Sequence, residues 1–98
     1  MQFVHAGLRA GPEDLVVVNL DRQANALLLD DQAFSAYRNG SAFRYYGGWA
    51  TRSPVRLRPP HSGHWHVVVD LGGLAGTVRA TVRLISAQKG RLVQGALF

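Results

Sequence analysis

Along most of this chain apolar and polar positions alternate with a period of two, the pattern of strands that cover one face. Residues 2–6 predict a first strand, "GPED" at 11–14 a turn, and "LVVVNL" at 15–20 a buried, β-branched second strand. "ANALLLD" at 24–30 follows after a polar break. The period changes in "DDQAFSAYRNG", where Ala33, Phe34 and Tyr37 fall at helical spacing, an Asp can cap the start and Asn39-Gly40 can end the turn. One short helix is expected there.

From Ala42 the period returns to two. Phe43 and Tyr45 alternate with Arg44 and Tyr46 until Gly47-Gly48, which predict a turn or a bulge before Trp49. "SPVRLRPP" at 53–60 sets Val55 and Leu57 on one face and Arg56 and Arg58 on the other, and Pro59-Pro60 closes that strand. The two longest strand signals, "GHWHVVVDL" at 63–71 and "GTVRATVRLIS" at 76–86, are joined by "GGLAG" and are expected to pair as an antiparallel hairpin. The fold class that follows is all-β: a single-domain β-sandwich of about seven mostly antiparallel strands, some bulged, with one short helix. Residues 1–86 form that domain. "AQKGRLVQGALF", residues 87–98, is weakly periodic and reads as a C-terminal tail or late edge strand.

Composition narrows the function classes. A chain of 98 residues, 47% hydrophobic, can bury a core without a metal or disulfide and is not a disordered tail. Cysteine is absent, which removes disulfides, thiol nucleophiles and cysteine zinc sites and fits a reducing, cytoplasmic setting. Nothing resembles a signal peptide, and no run approaches the ~18 apolar residues of a membrane span. Lys+Arg 11 against Asp+Glu 6 gives a net charge of +5, nearly all of it arginine, which favours acidic partners. An arginine-rich composition is also what coding bias produces.

Alternation assigns Trp65, Val67, Val69 and Leu71, with Val78, Ala80, Val82 and Leu84, to an inner face. The opposite face then carries His64, His66, Val68 and Asp70 beside Thr77, Arg79, Thr81 and Arg83, joined by Arg56 and Arg58 if residues 55–58 share the sheet. Three readings compete for that face. His64-x-His66 is how some barrels present two imidazoles to a metal, but Asp70 stands ~13 Å along the strand from His66 and no other acid or imidazole is drawn in by spacing. No metal or cofactor is expected on that ground. Imidazoles near arginines suit general acid–base cleavage of a phosphodiester, but neither a nucleophile triad nor a phosphate loop accompanies them, and Glu13-Asp14 and Asp30-Asp31 read as turn and capping residues. The third reading is a solvated sheet face, used or not used for binding. Single-strand nucleic-acid binding also needs exposed aromatics, for which Tyr46 and Trp49 are the candidates.

At "RYYGG" (44–48), "RSPVRL" (52–57) and "SGHWHVVVDLGG" (62–73), with "YRNG" before and "AGTVRATVRL" after, the chain resembles the bacterial family called domain of unknown function 1883. The resemblance covers most of residues 1–85. It implies a compact β-sandwich with bent, bulged strands, found as small standalone proteins or as accessory domains, including beside Toll/interleukin-receptor-type signalling domains. It supplies no activity. Where this chain has His66 the family pattern carries an aromatic such as Tyr, so a His64–His66 metal pair would be private to this chain. The expectation is therefore a non-enzymatic binding or interaction module, associated with signalling. Its contacts to an acidic ligand or protein are assigned to Arg56, Arg58, Arg79 and Arg83, with His64 on the same face and a second patch at Arg44, Tyr46 and Arg52. A polyanion or nucleic-acid binder using the same arginines is the runner-up, and a His-dependent phosphodiesterase or metal protein the third. An exposed edge strand would allow pairing with a second copy, but no feature selects dimer over monomer.

Overall fold

In chain order the computed structural model, which describes residues 2–86, runs β1 (Phe3–Ala10), β2 (Asp14–Leu20), β3 (Ala24–Leu29), α1 (Asp31–Arg38), β4 (Tyr46–Ala50), β5 (Val55–Leu57), β6 (Gly63–Asp70) and β7 (Ala80–Ser86). One sheet has the order β1-β6-β3-β4 and the other β5-β2-β7. Every pairing is antiparallel. The seven strands and single helix expected from sequence are present as a small all-β sandwich. The expected tail at 87–98 lies outside the described residues. No helix among them is long and apolar enough to cross a membrane.

The core between the sheets is what alternation selects. Val16, Val18, Leu28, Trp65, Val67 and Val69 are buried in one cluster, with Val78, Ala80 and Val82 packed against it. Each large side chain contributes about 1.5–3 kcal/mol by leaving water. Trp65 is sealed, and its indole Nε1–H donates to the His61 carbonyl at 3.1 Å. Leu84, expected inside, is 40% exposed, because β7 is an edge strand.

The hairpin expectation fails. β6 is flanked by β1 and β3, so both its hydrogen-bonding edges are occupied, while β7 pairs with β2 in the other sheet. Residues 71–79 cross from one layer to the other. The apolar faces of β6 and β7 meet across the sandwich instead of lying side by side, and a period of two is satisfied equally by either arrangement. The strand expected from Ala42 begins only at Tyr46. Gly47-Gly48 form neither turn nor bulge: they register one to one with Leu27 and Ala26. Glycine is required at 47 because φ is +104° and a Cβ would come within 2.2 Å of the Ala26 carbonyl oxygen.

A third layer corrects the solvated-face reading. α1 begins where Asp30 accepts from the Ala33 N–H at 2.7 Å, and ends at Asn39-Gly40, where the Asn39 and Gly40 N–H groups donate to Ser35 and Tyr37 carbonyls. Ala33, Phe34, Tyr37 and Phe43 pack with Leu27, Leu29 and Val68 on the outer side of the β1-β6-β3-β4 sheet. That sheet is therefore covered on both faces. Its strands carry the unbroken runs "ALLL" and "VVV" for this reason.

Two stability measurements test this architecture. Trp65→Ala should cost about 3–5 kcal/mol in urea unfolding, since it empties a sealed site. Tyr37→Phe should cost about 1–3 kcal/mol with the rings still packed, because Asp70 beneath α1 loses one of its donors.

Candidate functional site

Side chains at alternate positions of β6 point outward toward α1, and polar groups occupy both ends of that row. At one end Asp70, 3% exposed, accepts from Tyr37 Oη at 2.5 Å, Asn25 Nδ2 at 2.8 Å and the Gly72 N–H at 2.9 Å. Burial, followed by the bond to Asp70, pushes the Tyr37 hydroxyl well above the usual tyrosine range. A phenol held protonated on a carboxylate with three donors is a structural tie. In the middle, Val68 packs on α1.

At the other end Asp31, the first residue of α1, takes two imidazoles on a single oxygen. Its Oδ1 lies 2.6 Å from His66 Nε2 and 2.7 Å from His64 Nδ1. His66 Nδ1 lies 2.8 Å from His5 Nε2 on neighbouring β1. The His5 and His66 rings meet edge to edge, with centroids 5.0 Å apart and planes 21° from parallel. Phe34 lies flat across both, at 4.3 and 4.4 Å. Asp31 only accepts, so the two nitrogens facing it carry protons, and a neutral His66 accepts at Nδ1 from His5 Nε2–H. His66 and then His64 hold the Asp31 carboxyl below the usual carboxylate range. Burial lowers His5 most, followed by the neighbouring His66, Arg38 and His64. Beside this network a shallow cleft of about 440 Å³ is lined by Asp31, His66, Phe34, Ser35 and Arg38.

The residues singled out from sequence separate onto different faces. Register places Arg56 and Arg83 on either side of Val17 on the outer face of the β5-β2-β7 sheet, and Arg79 and Arg58 follow the same parity beyond the strand ends. The Arg58 guanidinium donates to the Pro12 and Asp14 carbonyls, at 3.0 and 3.2 Å, and secures the β1–β2 turn. Arg56 and Arg83 have no hydrogen-bond or ion-pair partner among the described residues. His64 does not join them: it stands on the opposite side of the molecule, in the other sheet. Arg44, Tyr46 and Arg52 do not form one patch either. Arg44 sits beside Asp30, Gln32 and Ala36 of the helix region, Tyr46 edges onto Trp65, and Arg52 lies by Asp21 and Arg22.

Two members of the network escaped the sequence reading. Asp30-Asp31 read together as capping residues in the sequence, yet only Asp30 caps. His5 has no spacing relation to His66, from which it is separated by 61 positions. The available signal was the "VVV" run, which marks the outer side of β6 as covered and so directs His64 and His66 toward the helix. Asp70, weighed as a metal ligand, belongs to the Tyr37 tie at the far end of the row.

Residues 1–88 match the family model described as Domain of unknown function (DUF1883). No curated protein and no solved structure matches the chain.

The network makes stability depend on pH in a definite direction. His5 is lowered from 6.5 in the fold, so its contribution is complete above that value and erodes as the pH falls below it, where the unfolded chain takes the proton more readily. Asp31 is lowered from 3.8, so its contribution is present above that value and is lost as pH falls through the folded value. The melting temperature should fall between about pH 7.5 and 5.5, and His5→Asn should flatten that decline. An unchanged slope in the variant would remove His5 from the account.

Proposed function

The chain belongs to the DUF1883 family, and on that footing we propose that it is a non-catalytic binding module that meets an acidic partner through the outer face of its β5-β2-β7 sheet. The observation that carries this reading is how the carboxylates are used. Of the six Asp and Glu residues, five are engaged internally. Asp14 accepts from the Gly11 N–H, Asp21 from the Arg79 N–H and Asp30 from the Ala33 N–H, while Asp31 and Asp70 hold α1. No arginine pairs with a carboxylate among the described residues. The positive field over Arg56, Arg79 and Arg83 is thus left for an external anion. Ile85, 49% exposed, gives the same face apolar area beside the charges.

An acidic protein or peptide fits this face better than single-stranded nucleic acid. Base stacking needs aromatics among the arginines, but Tyr45, Tyr46 and Trp49 are exposed around β4, in the other sheet. A catalytic reading has less support, since no hydroxyl nucleophile is hydrogen-bonded to the imidazoles among the described residues. Association with signalling domains is part of the same proposal and rests on the family resemblance alone.

Amide NMR titrations with a poly-glutamate peptide and a short single-stranded RNA, at low and physiological salt, separate these cases. The peptide should shift Val17, Arg56, Thr81 and Arg83, and the double variant Arg56→Ala/Arg83→Ala should weaken binding at least several-fold and flatten its salt dependence. Shifts centred on Tyr45, Tyr46 and Trp49 with RNA would replace the proposal by nucleic-acid binding. Peptide affinity indifferent to the double variant would reject the arginine face.

A further inference from the structure

We propose that Asp31, His64 and His66 form a three-ligand site for one divalent transition-metal ion, with His5 orienting His66. This site is independent of the arginine face and lies on the other side of the sandwich. Its three donor atoms, Asp31 Oδ1, His64 Nδ1 and His66 Nε2, lie within 4.8 Å of one another. An ion about 2.0–2.2 Å from nitrogen and oxygen ligands holds those ligands roughly 3.0–3.4 Å apart. The present separations of 2.6 and 2.7 Å therefore have to open by less than about 1 Å. Asp31 is 69% exposed at the start of α1, so its carboxylate swings without disturbing the core. Docking the helix needs one such bond. Here two imidazoles converge on one carboxylate oxygen, which is more than docking requires.

The surroundings are arranged for the two imidazoles. His66 has both ring nitrogens assigned, one toward Asp31 and the other toward His5, and Phe34 fixes the plane of the His5–His66 pair. A hydrogen bond to the remote ring nitrogen sets which nitrogen is free to ligate. Gly7, which registers with His66, leaves room for the His64 ring: a Cβ there would lie 3.3 Å from His64 Nε2. With His64 42% and Asp31 69% exposed, the remaining coordination positions face solvent, as in an open site.

Donor chemistry selects the ion. Two imidazoles and one carboxylate, with no cysteine in the chain, suit zinc and its first-row neighbours over calcium or magnesium, which take oxygen ligands. Binding moves protons without net loss from the imidazoles. His66 passes its proton from Nε2 to Nδ1 and then donates to His5 Nε2, whose own proton moves to Nδ1, while the His64 proton moves from Nδ1 to Nε2 and frees Nδ1 to ligate. Arg38, 5.8 Å over the Phe34 ring, and Arg9, which registers with His64, oppose a cation, so affinities are compared between variants.

The test uses the full chain, free of any affinity tag and stripped with chelator, titrated with Zn²⁺ by calorimetry and with Co²⁺ by visible absorption. One ion per chain is expected. His64→Ala and Asp31→Asn should each weaken binding at least tenfold, and His5→Phe about tenfold with unchanged stoichiometry. Imidazole ¹⁵N spectra should place the His66 proton on Nδ1 when zinc is bound. Amide spectra check that each variant folds, and His64→Ala, at an exposed side chain, carries the test should Asp31→Asn unfold. Absence of saturable Zn²⁺ binding, or binding that survives in folded His64→Ala and disappears in His61→Ala, would overturn the proposal.

Discussion

The buried carboxylate of Asp70 joins three parts of the chain: β3 through Asn25, α1 through Tyr37 and the turn after β6 through Gly72. A carboxylate sealed from water is tolerated only when its acceptor sites are filled, so these three bonds are obligatory for one another. Their joint effect is to fix α1 on the outer side of β6. Without that helix Leu27, Leu29 and Val68 would face solvent, and the sheet would have one covered side instead of two. Asp31 repeats the device at the opposite end of the helix with His64 and His66. The helix is held by polar groups at both ends and apolar contact between them.

This clamping divides the surface into two chemistries. The helix-covered sheet collects the imidazoles and the two helix-binding acids, because only there does a second element face the strand closely enough to bond them. No helix among the described residues packs on the outer side of the other sheet. Its outer row presents Arg56 and Arg83, both exposed, on either side of Val17. The segregation follows from the scarcity of acids: caps, turns and helix ties use five of six, and the sixth, Glu13, lies in the β1–β2 turn and pairs with no arginine among the described residues.

Much of the fold was legible because period two identifies covered faces: Trp65, Val67 and Val69 are core as expected, and the Asp30 cap and Asn39-Gly40 stop bound the helix correctly. The same periodicity is silent about which strands are neighbours. β6 and β7 share apolar parity whether paired or facing, so their partners were misassigned, and with them the composite face of histidines and arginines. The candidate site was half legible. His64-x-His66 is visible in sequence, whereas Asp31 is brought to it by docking a helix 33 residues away, and His5 by a register no local pattern encodes.

The Asp31 network is both a fastening and a set of donors, and the two roles reinforce each other. Hydrogen bonds that dock α1 hold the three ligand atoms near the spacing that an ion needs, so little ordering remains when one binds. An ion that binds only the folded chain in turn adds stability by mass action, and it adds it at the helix terminus farther from the Asp70 tie. Loss of α1 from the sheet would break the site, since its carboxylate comes from the helix and its imidazoles from β6. The arginine face, in the sheet that does not carry α1, has no member in this network. An ion at one face and an acidic partner at the other are therefore coupled only through global stability, unless the core between the sheets has a second arrangement.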